Sequence, residues 1–303
     1  MTSGGQDTIT VIVNQAAGGG RCGKKASSVL NELQEGVNAC LDIHHTGKPG
    51  DATLIARQAW LAGSRRFWCV GGDGTLFEVI NGLFPHDSDD RPCVGVLPLG
   101  TGNSFLRDFN IHDTKTAISA LSREKFRTVD AIRLEHDEGV IYFMNLCSIG
   151  FSARVGMATN RWFKPFGAAG YNMAVVLSLL GLNHPVYPLS IDNAPVDDRP
   201  CTLISFCNSR YTGGTMMMAP EADTGDGHMD IIRLNSMGRL SLLRAFPKIF
   251  DGSHINLEQV ECERAEKVVF QDPQPMDVLL DGEVFHIIPR SIQVCAGALD
   301  VYT

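Results

Sequence analysis

Short apolar runs, glycine loops and amphipathic segments follow one another over the first 130 residues. The β-branched run Thr8–Val13 predicts a buried strand that stops at the glycines of residues 18–20. Four apolar residues at helical spacing then predict a helix, namely Val29, Leu30, Leu33 and Val37. The same order continues with predicted strands at Leu41–His45, Phe67–Val70 and Cys93–Leu97 and predicted helices at Asp51–Gly63 and Leu76–Leu83. Such strand–loop–helix units predict a parallel sheet covered on both faces.

The pattern changes after about Asp130, where short strand candidates separated by proline and glycine dominate. These candidates are Val140–Met144, Cys201–Cys207, Met229–Leu234, Lys267–Phe270, Val278–Leu280 and Ile292–Cys295. They are typical of an antiparallel sandwich or barrel. One helix interrupts them, from about Ala168 to Leu182, and because it is apolar on nearly all faces we expect it to be buried.

The two patterns predict two domains with the active site in the cleft between them. An α/β domain is expected over residues 1–130 and a β-sandwich domain over residues 131–290. The segment 291–303 is expected to pack back on the first domain.

Composition excludes several classes of protein. The 26 Lys+Arg against 34 Asp+Glu give a net charge of −8, which argues against a nucleic-acid partner. The first ten residues lack the basic and apolar regions of a signal peptide. The longest apolar stretch, Ala174–Leu182, is far shorter than the ~20 residues of a membrane span. The nine cysteines contain no CxxC pair and are expected to be reduced thiols, so we expect a soluble cytoplasmic protein.

Three glycine-bearing loops follow predicted strands, at Asn14–Gly20, Gly71–Thr75 and Gly100–Asn103. Ligands of open α/β sheets bind at the carboxyl ends of the strands, where glycine lets backbone N–H groups approach a phosphate. A single loop of this kind is usually structural, but three at one edge favour a phosphate-binding site. Neither a P-loop nor a GxGxxG motif is present, which argues against Walker-type and Rossmann sites.

The second loop also carries a carboxylate, that of Asp73, and a hydroxyl, that of Thr75. The carboxylate of Asp73, between two glycines, could reach a metal bound to phosphate oxygens; the alternative is a turn-forming Asp that bonds its own backbone. Thr75 is placed to cap the following helix or to contact a phosphate.

The segments Val70–Leu83 and Pro98–Asn103 resemble the catalytic core of the diacylglycerol kinase and lipid kinase family, which includes sphingosine and ceramide kinases. Further segments resemble that family in the same order: Val11–Gly20, Tyr142–Asn145 with Gly150 and Phe151, Gly213 and Gly214 with Ala219 and Pro220, Asp226–Asp230, and Asp281–Glu283. The resemblance implies an α/β domain similar to those of NAD kinases and phosphofructokinases. Phe77 and Ser104 depart from the family pattern, which often has Asn and Asp there, and weaken the specific label of diacylglycerol kinase.

The resemblance implies an ATP site at Asn14, Gly18, Thr46, Gly71, Gly72, Asp73, Gly74, Thr75 and Thr101, with Mg²⁺ held by Asp73. It also implies Glu283 as the general base that takes the proton of the acceptor hydroxyl. Asp281, two residues away on an extended strand, would point the same way, and either carboxylate could be the base. Without the resemblance, Asp281 and Gly282 would indicate a hairpin turn with solvated acids.

A second, structural metal site is implied around residues 223–228. It would use the carboxylate of Asp226 and the backbone carbonyls of Asp223 and His228. The alternative is an acidic surface loop. The side chain of His228 is expected to face solvent or to cap the turn rather than to bind the metal.

The expected function is an ATP- and Mg²⁺-dependent lipid kinase that acts first on diacylglycerol and gives phosphatidic acid. The alternatives are a sphingosine, ceramide or other lipid kinase, then an NAD kinase, then a non-catalytic lipid- or nucleotide-binding regulator. The expected partner is a membrane lipid, met by transient peripheral association, and a homodimer is possible. The basic and aromatic segment Arg161–Phe166 is the candidate membrane contact, the alternative being a packed loop.

Overall fold

The computed structural model describes residues 8–86, 90–163 and 167–303. The chain divides into two compact units. Unit 1 comprises Met1–Val129 and Gly297–Thr303, and unit 2 comprises Asp130–Ala296. The chain therefore passes from unit 1 to unit 2 and back again, each time within a long β-strand.

Unit 1 contains a parallel sheet with helices in the connections between its strands. The elements are β1 (Thr8–Val13), α1 (Arg21–Gly36), β2 (Cys40–His45), α2 (Asp51–Leu61), β3 (Arg66–Gly71), α3 (Asp73–Leu83), β4 (Cys93–Pro98) and α4 (Thr114–Arg123). The strand order is β2-β1-β3-β4, and every neighbouring pair is parallel. Asp300 and Val301, near the end of a strand that returns from unit 2, lie parallel to β4.

The core of unit 1 follows from its central strands, whose apolar runs are buried on both faces of the sheet. Trp68 on β3 is fully buried, and Gly95 stands opposite it on β4. A Cβ built on Gly95 would lie 2.9 Å from Cδ1 of Trp68, so glycine leaves the room that the indole ring occupies. The ring of Tyr302 packs edge-to-face on Trp68 with centroids 6.1 Å apart.

Unit 2 is mainly antiparallel. Its elements, together with the two strands that cross the boundary between the units, are β5 (Phe126–His136), β6 (Gly139–Phe143), β7 (Leu146–Gly150), α5 (Phe151–Ala158), α6 (Gly167–Ser178), β8 (Leu189–Ile191), β9 (Cys201–Cys207), β10 (Tyr211–Thr212), β11 (Met216–Met217), β12 (Met229–Asn235), α7 (Arg239–Ala245), β13 (Val260–Ala265), β14 (Lys267–Phe270), β15 (Met276–Leu280), β16 (Glu283–Ile287) and β17 (Pro289–Tyr302). Six strands form a sheet in the order β13-β12-β9-β7-β15-β16. In a second layer, β14 pairs with β8 and β17, and β5 pairs with β6. Phe206 of the first layer and Phe270 of the second pack edge-to-face, with centroids 6.1 Å apart.

The predicted fold class, a parallel α/β domain followed by a β-sandwich, is confirmed. The expectation that the helix from Ala168 to Leu182 is buried is wrong, because one side of α6 and of the 3-10 turn Leu179–Gly181 is exposed. Among the residues that the structure describes, no helix has the length and apolar character needed to cross a bilayer.

Candidate functional site

The loops after β3 and β4 touch backbone to backbone at the carboxyl end of the unit 1 sheet. The carbonyl oxygen of Gly71 accepts hydrogen bonds from the N–H groups of Leu99 at 2.8 Å and Gly100 at 2.7 Å. A Cβ built on Gly72 would lie 2.8 Å from Cα of Gly100, so a larger residue there would force the loops apart. The sequence expectation that these glycines share one edge agrees with this contact.

The loop after β1 joins the other two. Gly18 has a φ of 62°, and a Cβ there would lie 2.6 Å from the carbonyl oxygen of Leu99. The Nδ2 of Asn14 donates to the buried hydroxyl of Thr75 at 3.1 Å. Helix α3 begins at Asp73, two residues before Thr75, so Thr75 does not cap it. The hydroxyl of Thr75 instead holds the side chain of Asn14 in place.

Asp73 lies in the first turn of α3 and is held by the loop after β4. Its Oδ2 accepts from the backbone N–H of Ser104 at 2.9 Å, and its Oδ1 accepts from that of Phe105 at 3.3 Å. Burial raises the pKa of Asp73, while these hydrogen bonds and the positive charge of Arg107 oppose the rise. The contacts therefore link two loops instead of closing a turn within one. The Ser104 side chain gives the carboxylate a third hydrogen bond, and the lone-pair site that remains could accept from a metal-bound water, so the carboxylate fits a hydrated Mg²⁺.

The remaining predicted nucleotide residues lie at the same edge of the unit 1 sheet. Thr46 follows β2, and its N–H donates to the carbonyl oxygen of Val13 at 3.0 Å. Gly74 and Thr101 are exposed. Sequence analysis missed Asn103, which has a φ of 51° and whose buried Oδ1 has no hydrogen-bond partner among the described residues. That unsatisfied acceptor fits a ligand donor or a bound water at this edge.

Asp281 has a different environment from the one expected. Its buried carboxylate accepts three hydrogen bonds, each of 2.9 Å, from the backbone N–H groups of Met144, Asn145 and Leu146. The expectation of an extended strand that directs Asp281 and Glu283 the same way is wrong. Asp281, with a φ of 46°, and Gly282 form the two-residue turn between β15 and β16. The turn interpretation is correct, but Asp281 is a buried clamp and not a solvated acid.

Glu283 begins β16 and is exposed. Among the described residues, none donates a hydrogen bond to its carboxylate. It lines a shallow groove of about 460 Å³ within unit 2, together with Met157, Asn160, Arg161, Asp277, Val284 and His286. Asn160 fixes the turn beside it, because its Nδ2 donates to the carbonyl oxygen of Gly282 at 3.1 Å. The groove leaves the carboxylate open to a substrate.

The predicted membrane segment Arg161–Phe166 lies partly outside the described residues. Within the described part, the guanidinium of Arg161 lies 5.2 Å from the ring centre of Trp162, and the Trp162 side chain is about half exposed. Arg161 also lines the groove of Glu283.

The acidic loop at residues 223–228 is where the resemblance implies a second metal. The one carboxylate expected to bind it, that of Asp226, accepts from the guanidinium of Arg264 and from the backbone N–H of His228. Among the described residues, no group of three or more His, Cys, Asp or Glu side chains could hold a metal. Arg264 thus supplies the positive charge at this carboxylate. The Nδ1 of His228 lies 2.9 Å from the carbonyl oxygen of Asp226, so His228 caps the turn as expected.

A parallel α/β unit with three touching glycine loops, followed by an antiparallel sandwich, is the arrangement of two known family domains. Residues 8–134 match the diacylglycerol kinase catalytic domain, and residues 145–303 match the YegS C-terminal NAD kinase beta sandwich-like domain. The chain belongs to the diacylglycerol kinase and lipid kinase family.

Individual relatives agree with this assignment. A diacylglycerol kinase of Mycobacterium tuberculosis is 31% identical over 297 residues, which cover 97% of this chain and 94% of the relative. A diacylglycerol kinase of Bacillus subtilis is 27% identical over 283 residues, with 92% and 90% covered. A crystal structure of a diacylglycerol kinase from Bacillus anthracis has the same fold, with a TM-score of 0.72, 20% identity, and 98% and 96% of the two chains covered.

Proposed function

We propose that this protein transfers the γ-phosphate of ATP to the hydroxyl of a membrane lipid, with diacylglycerol as the first candidate acceptor. The names of its relatives support the lipid. The observation that carries the phosphoryl-transfer part is the contact of the three glycine loops around Asp73 in unit 1. An acceptor that resides in a bilayer requires transient association with the membrane surface.

Unit 1 supplies the nucleotide side of this proposal. We assign the phosphates of ATP to Gly72–Gly74, where glycine leaves the backbone accessible and the start of α3 favours a negative charge. Asp73 would hold Mg²⁺ through water, and the bound ion would offset the negative charge of the phosphate oxygens. Ser104 and Phe105 keep the Asp73 carboxylate in one orientation through their backbone N–H groups.

Unit 2 supplies the acceptor side. The carboxylate of Glu283 takes the proton of the lipid hydroxyl as its oxygen forms a bond to the γ-phosphorus. The bond between the γ-phosphorus and the oxygen that bridges to the β-phosphate breaks, and ADP leaves. Asp281 does not take the proton in this scheme, because its carboxylate holds three backbone N–H groups. It positions the turn from which Glu283 projects.

The test is turnover of the purified protein with ATP and Mg²⁺ on separate dispersions of diacylglycerol, sphingosine, ceramide and phosphatidylglycerol, with NAD as a soluble acceptor. We expect turnover on diacylglycerol. Glu283→Gln should lower that turnover by about 10²-fold or more while ATP affinity stays unchanged. Glu258→Gln is the matched control, since Glu258 is also an exposed acid of unit 2 and should have no effect.

The outcomes separate the alternatives. Turnover on a sphingoid lipid alone would replace diacylglycerol as the proposed acceptor, while the protein would still be a lipid kinase. Turnover on NAD alone, or none on any acceptor while ATP binds, would overturn the lipid kinase proposal for this chain. Wild-type turnover in Glu283→Gln would overturn the base assignment.

A further inference from the structure

The outward side of helix α6 carries apolar side chains where a helix facing water normally carries polar ones. Four residues at i, i+3, i+4 and i+7 lie on that side: Met173, Val176 and Leu177 in α6 and Leu180 in the 3-10 turn that follows it. Their exposed fractions are 51%, 55%, 39% and 74%. The opposite side of the helix, with Ala174, Val175 and Leu179, is buried in a core cluster of unit 2. The helix is therefore packed on one side and apolar on the other.

Helix α7 extends this apolar surface. The Nε of Arg239 donates to the carbonyl oxygen of Leu179 at 2.9 Å, and its Nη2 donates to that of Leu180 at 3.1 Å. These bonds hold the start of α7 against the 3-10 turn that follows α6. Leu240 and Leu243 of α7 are 70% and 41% exposed. We call these two leucines, together with Met173, Val176, Leu177 and Leu180, the α6–α7 face.

The α6–α7 face concentrates apolar exposure in one place. Of the sixteen large apolar side chains that are exposed among the described residues, six belong to it. Scattered apolar residues on a surface need no explanation, whereas a contiguous group marks an interaction site.

The two stretches of sequence that carry the α6–α7 face differ in charge from the chain as a whole. The chain carries a net charge of −8, yet residues 139–191 and residues 231–250 contain no Asp or Glu. These two stretches include all of α6 and α7. Arg244 and Lys248 are exposed in and just after α7. An apolar strip beside cations complements a bilayer with anionic headgroups. A second copy of the same face would bring like charges together.

We propose that the α6–α7 face docks on the surface of an anionic lipid bilayer. Its leucines enter the boundary between headgroups and acyl chains, and Arg244 and Lys248 meet the lipid phosphates. The inference rests on the proposed function, since a kinase of membrane lipids must meet its substrate there, but docking itself requires no turnover.

The experiment is co-sedimentation of the full chain with vesicles made of equal parts of phosphatidylcholine and phosphatidylglycerol. The variant Leu180→Glu/Leu240→Glu should lower the partition constant for the vesicles by at least ~10-fold, because it replaces two inserted leucines with charges. The variant Arg244→Gln/Lys248→Gln should lower binding by roughly 25-fold, about fivefold for each cation, and leave any binding to pure phosphatidylcholine vesicles unchanged. The matched control is Leu61→Glu on α2, where Leu61 is 70% exposed and lies in unit 1. It should bind like the wild type.

Further measurements keep the outcomes distinct. All variants should unfold at the wild-type temperature, since every substituted side chain is exposed. Turnover on a short-chain diacylglycerol dissolved as monomers should remain at the wild-type level in Leu180→Glu/Leu240→Glu. Vesicle binding that depends on this face without turnover on any lipid would support docking and overturn only the proposed function. Unchanged sedimentation of Leu180→Glu/Leu240→Glu with vesicles would overturn the docking proposal. The proposal would also be overturned if the wild type binds no vesicles and forms a dimer that these substitutions dissociate.

Discussion

Replacing Asp281 tests whether its carboxylate is structural, in contrast to that of Glu283 two residues away, which we propose as the base. In the structure, Oδ1 of Asp281 accepts from the N–H groups of Asn145 and Leu146, and Oδ2 accepts from that of Met144. Asn at position 281 tolerates the positive φ and keeps one acceptor oxygen for two of these groups. Its amide group faces the third, so Asp281→Asn should lose one bond to a charged acceptor, about 2 kcal/mol.

Asp281→Ala should cost considerably more. It leaves all three backbone N–H groups without their acceptor, at about 1–3 kcal/mol each, although such losses do not add fully. It also places a residue other than Asn or Gly at a φ of 46°, which costs about 1 kcal/mol more. We therefore expect a total loss of about 5 kcal/mol, which is comparable with the whole stability of many proteins.

The assay combines urea unfolding with turnover on diacylglycerol for both variants and for Glu283→Gln. Glu283 is exposed on the same hairpin, so its substitution should change the free energy of unfolding by less than about 0.5 kcal/mol. Wild-type stability of Asp281→Ala would refute the clamp. If Asp281→Asn kept its stability and lost turnover as completely as Glu283→Gln, then Asp281 would take part in the chemistry and our assignment would be wrong.

Three further substitutions test the glycine loops and an ion pair. Gly72→Ala should lower the free energy of unfolding by about 1–3 kcal/mol, because its Cβ would lie 2.8 Å from Cα of Gly100. A Cβ on Gly74 would have no heavy atom within 4 Å, so Gly74→Ala should fold normally. If this turn contacts the phosphates, Gly74→Ala should lower the affinity for ATP measured by calorimetry. The guanidinium of Arg199 lowers the pKa of Asp197 to about 2, so the stability from this pair is present above pH 4 and lost as the pH falls towards 2. Asp197→Asn should therefore lower stability by about 1 kcal/mol at pH 7, after allowance for solvent exposure, and the difference in unfolding free energy should shrink as the pH falls through about 2. A difference that stays constant with pH would contradict the ion-pair explanation.

The sequence predicts unit 1 well because parallel strands impose local rules. A strand buried on both faces must be apolar throughout, and a loop that touches another backbone must carry glycine. Gly72 meets the second rule, and the run around Trp68 meets the first. The positions of the three glycine loops at one edge of the sheet can therefore be predicted from the sequence.

The Asp281 clamp could not be located in this way, because its three partners lie 135 to 137 residues away along the chain. A carboxylate next to glycine in a hairpin turn has the same local pattern whether it is solvated or holds buried N–H groups. The exposed side of α6 was missed for a related reason. An all-apolar helix is equally consistent with burial in a core and with an outward apolar face.

The return of β17 into unit 1 has a consequence for synthesis on the ribosome. Tyr302 is buried in unit 1, where its hydroxyl accepts from Nε of Arg66 at 2.8 Å and its ring packs on Trp68. These contacts need residues 297–303, which are translated only after the whole of unit 2. The α/β unit emerges first and yet completes its sheet last. Until residues 297–303 are made, the edge of β4 that later pairs with Asp300 and Val301 stays open. Nascent chains should therefore depend most on chaperones during that interval.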